Sequence, residues 1–553
     1  MLNDINNLYK IMTFTFQKNQ TMNIIKSFLL VGILSISIIG CKAPAPIISV
    51  NPTNIAKQPL KTTPISDKDL KRWSHLDLSK DTIPGMSVDK AYELLKGKKA
   101  SKIIVGVIDS GIDIEHEDLK NNIWTNKKEI PGNKKDDDNN GYIDDINGWN
   151  FLGDAYYEQL EMTRLVKNGN KNSVEYINAK AELDKKIAEL QPQKQQLDMI
   201  LGADAAIAKY LNKQNYNQEE VRAITTAEPN LLQSKMIMMQ VLSTSTKEDF
   251  DKEMVEFKEY VYDQFNYNLN TEYDGRKIVG DNPQDFSQKG YGNNIVWGPN
   301  KDGAKHGTHV AGIIAQTRNN SKGGDGVATN VVEIMTVRAV PNGDEYDKDI
   351  ANAIKYAVDN GAKVINGSFG KSYSPQKQLV YDAIKYAEQK DVLFVHAAGN
   401  DGKNIDTEPN FPNDADGAKP EFADNVLTIG ALNFEYGSNI VADFSNFGKE
   451  NVDIFAPGVK IYAATPNNSY EYLQGTSMAA PNAAGVAALI RAYYPSLKAN
   501  QVKKIIMDSG TLISNVVTVG ESKTDTTLEA VSRTGKIVNA YNALLLAEKM
   551  SKK

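Results

Sequence analysis

From Met478 to Ile490 the chain reads Met-Ala-Ala-Pro-Asn-Ala-Ala-Gly-Val-Ala-Ala-Leu-Ile. So little side-chain volume at helical spacing predicts a buried helix that its neighbours approach closely. Ser477, after Gly475-Thr476, stands at its start. Backbone N–H groups in a first turn lack intrahelical acceptors and face incoming negative charge. A serine there has two uses. It is either an N-cap or a nucleophile whose own N–H stabilises the oxyanion it creates. The second needs a base and an orienting acid elsewhere in the chain.

Residues 103–108, Ile-Ile-Val-Gly-Val-Ile, predict a buried strand of the parallel kind, ending in Asp109-Ser110-Gly111. An acid at the C-terminal end of such a strand lies where open α/β sheets place their sites; an Asp before a glycine is also a common turn former. Five histidines are present. His306 opens a second small, apolar helical stretch, His-Gly-Thr-His-Val-Ala-Gly-Ile-Ile-Ala. His306 and His309 share a helix face as metal ligands do, but no third ligand accompanies them. His309 reads as an interior histidine, and His116 and His396 as structural.

Asp109 in VIDSGID, His306 in HGTHVAG and Ser477 in GTSMAAP, in that order, resemble the subtilisin-like serine peptidases. The Gly399-Asn400 end of a buried strand is similar to that family's oxyanion-hole loop, and Asn366-Gly-Ser-Phe-Gly370 to its substrate-binding strand. The resemblance covers roughly residues 100–152 and 280–510. It implies that Ser477 attacks a peptide carbonyl, His306 carries the proton and Asp109 orients His306. Asn400 and the Ser477 N–H would bind the oxyanion. Ser368, Phe369, Gly370, Ala398 and Gly399 would contact substrate. Substrates would be peptides or proteins, and no cofactor would enter the chemistry. The implied fold is α/β, a mostly parallel sheet with helices on both faces plus a helical insertion. The residues agree: strand-like runs at 331–337, 363–365, 392–396 and 426–429 alternate with helix-like runs at 348–360 and 375–390. Phe369 and Ala397-Ala398-Gly399 suggest an apolar cleft. An intact set of four catalytic residues weighs against the alternative, an inactive subtilisin-like binding or scaffold lipoprotein.

The interval between Asp109 and His306 is long for that family, and most of the excess is 153–279. Leu183, Ile187, Leu190, Leu197 and Leu201 form one apolar stripe interrupted by Pro192, and Phe250, Met254, Phe257, Val261 and Phe265 another. These predict a helical hairpin or small bundle near the cleft. Just before it, Asp136, Asp138, Asn140 and Gly141 match the start of a calcium loop, although position twelve is Asn147 rather than Glu. A structural calcium is therefore expected. Residues 510–534 read as a polar surface loop and 535–550 as a last amphipathic helix.

At the other end, residues 24–40 form an apolar run with Lys26 near its start, followed by Cys41, the only cysteine. Ile38-Ile39-Gly40-Cys41 resembles a lipobox, so the expectation is a signal peptide over 1–41 and a lipidated Cys41 that tethers the protein in the bacterial cell envelope. Residues 42–98 would be a proline-bearing tether and an N-terminal segment, of which 71–95 packs on the body. Catalytic parts over 99–152 and 280–553 would flank the insertion. One cysteine excludes a disulfide framework. A net charge of -6 gives no support for nucleic-acid binding. The oligomeric state is left open.

Overall fold

The structure, a computed structural model, describes residues 63–552 apart from 409, 416–419 and 521, and apart from the side chain of Glu256. Cys41 and the apolar run before it lie outside the described residues. Among the described residues, no helix is long and apolar enough to cross a membrane.

Nine strands form one sheet in the order β10-β13-β7-β6-β5-β4-β1-β3-β2. β1 is Ile103–Asp109, β2 Gly148–Asn150, β3 Val332–Arg338, β4 Ala362–Gly367, β5 Leu393–Ala397, β6 Val426–Leu432 and β7 Ile454–Pro457. β8 (Ile461–Thr465) and β9 (Ser469–Leu473) pair as a separate hairpin. The edge strands β10 (Thr511–Leu512) and β13 (Lys536–Ile537) pair antiparallel, and every other pairing in the sheet is parallel. Both faces are covered, as a parallel sheet requires. β1 lies third from the β2 edge, with β3 on one side and β4 on the other, so the outgoing loops part at its C-terminal end. That divergence is where open α/β sheets hold ligands.

The helices that matter to the site are α1 (Val88–Leu95), α2 (Glu161–Asn168), α3 (Val174–Leu211), α4 (Gln218–Ala223), α5 (Pro229–Val241), α6 (Lys247–Asp263) and α7 (Lys305–Ala315). α8 (Asp347–Asp359) and α9 (Lys377–Gln389) follow β3 and β4, and α10 (Thr476–Tyr493), α11 (Ala499–Ser509) and α12 (Ala540–Ser551) close the chain. α7 and α10 lie in the hydrophobic core on one face of the sheet; α8 and α9 lie in the core on the other. In α10 every residue except Ser477 and Tyr493 is buried, so the small residues pack and the serine alone faces out of the first turn.

The segment before β1 is part of the body. Trp73, Ile83, Met86 and Val88 are buried in the same core as α10. Trp73 Nε1 donates to Val459 O at 3.0 Å and Tyr92 of α1 donates to Val327 O at 3.0 Å. Each apolar side chain buried there contributes about 1.5–3 kcal/mol, which ties this segment to the catalytic body.

The insertion is a helical bundle, not a hairpin. α3 runs through Pro192 without a break. A helical proline leaves the carbonyl four residues earlier unpaired; here that residue, Ala188, and Pro192 are both exposed, so water takes the place of the lost donor. Leu183, Leu190 and Leu197 are buried at seven-residue spacing. Buried ion pairs fix the bundle to the body at both ends. Lys371 Nζ lies 2.7 Å from Glu161 of α2, and Arg276 lies 2.6 Å from Asp349 of α8.

The C-terminal region corrects two expectations. Residues 510–534 are not simply a loop: β11 (Val516–Val519) and β12 (Thr524–Thr527) form a hairpin, and Val517, Val519, Leu528 and Val531 are buried. The last helix begins at Ala540 rather than at 535, because 536–537 are taken into the sheet as β13.

Candidate active site

Asp109 ends β1 with a side chain that is 2% exposed. His306 is the second residue of α7. Its Nδ1 lies 2.7 Å from Asp109 Oδ1. This approach depends on Gly307, where a Cβ would fall 2.2 Å from Gly111 O and 3.1 Å from Asp109 Cβ. Any side chain there would push the helix off the acid. Ser110 N also donates to Asp109 Oδ1 at 2.7 Å, while Asp109 Oδ2 is buried without a protein donor. Asp109 Oδ1 thus receives both the imidazole and the Ser110 N–H. Burial pulls the His306 pKa down, but the Asp109 charge and hydrogen bond outweigh it, and the net shift is upward from 6.5. The ring is 39% exposed to the cleft, which keeps Nε2 within reach of substrate.

Ser477 is the second residue of α10. Gly475, just before the helix, has φ +151° and ψ 164°, a region essentially confined to glycine. A Cβ on Gly475 would lie 3.6 Å from Ser477 N and 3.7 Å from Asn400 Nδ2. Asn400 Oδ1 lies 3.6 Å from the same point, so the Asn400 amide and the Ser477 N–H both border Gly475. Asn400 is oriented by Thr476, whose N–H and hydroxyl both donate to Asn400 Oδ1, at 2.8 and 3.0 Å. Thr476 Oγ1 in turn accepts from Gly399 N at 3.0 Å. With its carbonyl oxygen held back, Asn400 turns its amide NH₂ forward, the arrangement an oxyanion needs.

Pro481 cannot donate to the Ser477 carbonyl as a helical residue normally would. Ser368 Oγ fills that role at 2.9 Å, and Asn366 Nδ2 donates to Ser368 Oγ at 2.9 Å. The Ser477 hydroxyl itself donates to Ser368 O at 3.3 Å. No hydrogen bond joins it to His306. The structure therefore holds His306 on Asp109, and it leaves the serine hydroxyl turned toward Ser368, just past the end of β4.

Two cavities that share Asp344, Phe369 and Gly370 in their walls flank this centre. One, about 370 Å³, is lined by Asn400, Ser477 and Gly370, with Glu182 and Lys186 of α3 on its far wall. The other, about 890 Å³, is lined by Asp109, His306 and Ser368, with Glu259 and Asp263 of α6 opposite. Of the residues expected to make the cleft apolar, Phe369 lines both cavities and Ala397 and Gly399 line the smaller, while Ala398 lines neither. Phe369 and Ala398 are 8% and 0% exposed, because the Phe369 ring packs edge-on against His396 and the Ala398 carbonyl is taken by Asn410 and Asn446. Apolar residues, Leu160, Met162, Val340 and Leu473 among them, share the walls with charged ones.

Three other histidines are structural. His309 Nε2 meets the Ile461 and Glu471 carbonyls, and burial holds its pKa down at about 3. His396 Nε2 meets Phe369 O at 2.8 Å, and burial holds its pKa at about 4. His116 meets Ser469 O.

The acidic loop before the insertion gathers Glu129, Asp136 and Asp138, with one carboxylate oxygen from each within 4.8 Å of the others. Glu129 is not legible as a ligand in the sequence because it precedes the motif by seven residues. Asn140 turns its side chain to Asp145 and to Tyr142 N, at 3.0 and 2.8 Å. The three-carboxylate set fits a hard divalent cation of the calcium type.

Residues 100–535 match the Subtilase family. The chain is 42% identical over 186 residues to the thermophilic serine proteinase of Bacillus sp. (strain AK1), covering 34% of this chain and 42% of that one. It is 35% identical over 213 residues to subtilisin DY of Bacillus licheniformis, covering 38% and 72%. To thermitase of Thermoactinomyces vulgaris it is 38% identical over 191 residues, covering 34% and 62%. The chain thus spans less than half the length of the first of these relatives.

Proposed function

The chain belongs to the subtilase family, and from that membership we propose that it is a serine endopeptidase working through Asp109, His306 and Ser477. The observation that carries the reading is the 2.7 Å Asp109–His306 contact in a cleft shared with Ser477 and the Asn400 amide. His306, holding its proton on Nδ1, presents a basic Nε2. Ser477 Oγ, turned from Ser368 O toward the cleft, gives its proton to that nitrogen as it attacks the peptide carbonyl carbon. The oxyanion accepts from Ser477 N–H and Asn400 Nδ2. The imidazolium then protonates the leaving amine as the C–N bond breaks, and water hydrolyses the acyl-enzyme by the same steps reversed. Peptide hydrolysis by the full chain, blocked by a fluorophosphonate, tests this. A chain that binds peptides and never cuts them would support the alternative, an inactive subtilisin-like binding or scaffold lipoprotein.

We also propose a structural calcium on Glu129, Asp136 and Asp138. Backbone amides already point at these carboxylates: Glu129 accepts from Asp137 N and Asp138 N, and Asp136 from Asn140 N and Gly141 N. A cation would neutralise their mutual repulsion. Chelation should lower Tm by several degrees, with calcium restoring it, and Glu129→Gln should abolish that response. A Tm indifferent to chelator and calcium would rule the site out.

Finally, we propose that Cys41 is lipidated and tethers the protein to the bacterial cell envelope. The support is the Ile-Ile-Gly-Cys sequence after the apolar run. Cys41→Ala should move the protein from the membrane to the soluble fraction. Retention of the variant in the membrane fraction would contradict lipid anchoring.

A further inference from the structure

The larger cavity has a wall that the insertion builds. Tyr156 and Tyr157 come from its first residues and Glu259 and Asp263 from α6; Asp344 and Glu345, from the loop after β3, complete it. The wall is fixed in place. Tyr157 stacks on Tyr267 at 3.8 Å, and the π-turn after α6 brings Asn268 Nδ2 onto the carbonyls of Glu158 and Asn342.

Its four carboxylates have no cationic partner within 4.0 Å among the described residues. Asp263 accepts from Asn342 Nδ2 at 2.9 Å, and Asp344 accepts from Glu161 N at 2.7 Å. The Glu259 carboxylate has no hydrogen-bond partner among the described residues. Glu345 is 3% exposed, yet its carboxylate accepts no hydrogen bond from another described residue and forms no ion pair with one. Burial, with Asp344 and Asp347 adding to it against the pull of Lys371, holds that carboxyl up at about 7. Asp263 is raised as well, first by burial and then by Glu259.

The cations on this cavity already have partners other than these four carboxylates. Lys305 pairs with Glu471 at 2.7 Å. Arg338 donates to Ser110, Asn150, Gly153 and Ala155 oxygens, and His306 is held by Asp109. Lys371, nearest to Glu345, is bound to Glu161 and Asp347. The carboxylates do not converge as the three of the 129–138 loop do, so they suit an extended organic cation better than a single metal ion. Tyr156 and Tyr157 add aromatic surface to the wall, with one face of Tyr157 covered by Tyr267.

We infer that this tyrosine- and carboxylate-lined wall is a specificity subsite for a lysine or arginine side chain of the substrate, drawing its charge from Asp344 and Glu345 of the loop after β3 and from Glu259 and Asp263 of the insertion. The inference rests on the proposed peptidase reading, because the ligand is a peptide in the catalytic cleft. On this inference the insertion supplies the charge that selects substrates.

Binding is measured apart from chemistry. The full chain carrying Ser477→Ala is titrated with paired peptides that differ only in lysine or norleucine at one scanned position. At one position lysine should bind about tenfold or more tightly than norleucine. The ratio should fall as salt is raised from low to near-molar ionic strength. Glu345→Gln, and separately Glu259→Gln with Asp263→Asn, should bring the ratio toward one. The second pair is partly or fully exposed on α6, so it remains informative where the buried change disturbs folding. Equal affinity for both peptides at every position would overturn the inference, as would a preference that survives both sets of neutral variants. Hydrolysis by the unmodified chain is measured in parallel. Peptides bound with the lysine preference but never cut would retire the peptidase reading and leave the subsite standing.

Discussion

Replacing the nucleophile, Ser477→Ala, should lower kcat for peptide hydrolysis on the order of 10⁶-fold, the loss expected where nucleophile, base and acid act as one unit. Binding should survive, so KM or the Kd for peptide changes little. Tm should also hold: the hydroxyl makes a single 3.3 Å hydrogen bond to Ser368 O, and its residue is one of two in α10 that are not buried. Retained peptide binding and an unchanged Tm separate this from misfolding. A variant that keeps even a hundredth of the original kcat would show that another group performs the attack.

Asp109→Asn should cost about 10⁴ in kcat. Asp109 Oδ1 accepts from both His306 Nδ1 and Ser110 N at 2.7 Å. An asparagine either keeps its oxygen there, and the charge that stabilises the imidazolium is lost, or turns its NH₂ toward Nδ1. In the second case the ring proton moves to Nε2 and the base is blocked. The pH profile follows from the same contact. His306 is an active base only when neutral, and its pKa is raised above 6.5 once Asp109 outweighs burial. Activity should therefore climb through a midpoint above 6.5 in the native chain. Without the Asp109 charge the residual activity should climb at lower pH. The linkage to stability has the matching sign: a raised histidine pKa stabilises the fold below the unfolded value, and this is lost as pH rises through the folded one. A profile unmoved by Asp109→Asn would mean that the acid does not act on His306.

The parts of the site legible in the sequence are those made by short contiguous motifs. Asp109 at a strand end, His306 in a first turn and Ser477 before a run of alanines each declare their local structure, and the sheet brings the three elements together. What the sequence hid was made by contacts between distant segments. Ser368 serves the Ser477 carbonyl only because Pro481 cannot, and Thr476 orients Asn400 across 76 residues. Glu345 and Asp263 meet at one cavity although α6 and the loop after β3 are far apart in the chain. The β11–β12 hairpin looked like a polar loop because threonine and aspartate face outward from a short ladder whose buried side is only Val517 and Val519. Pro192 looked like a break because the exposed position that tolerates it is a tertiary fact.

Catalysis by the Asp109–His306–Ser477 set is probed most sharply by covalent labelling of the full chain with a fluorophosphonate. The modified residue is located by peptide mass spectrometry and the rate is followed against pH. One adduct is expected, on Ser477 Oγ, forming faster as His306 loses its proton and about as strongly slowed by Asp109→Asn as peptide hydrolysis is. An unlabelled Ser477, or an adduct on another residue, would contradict that assignment.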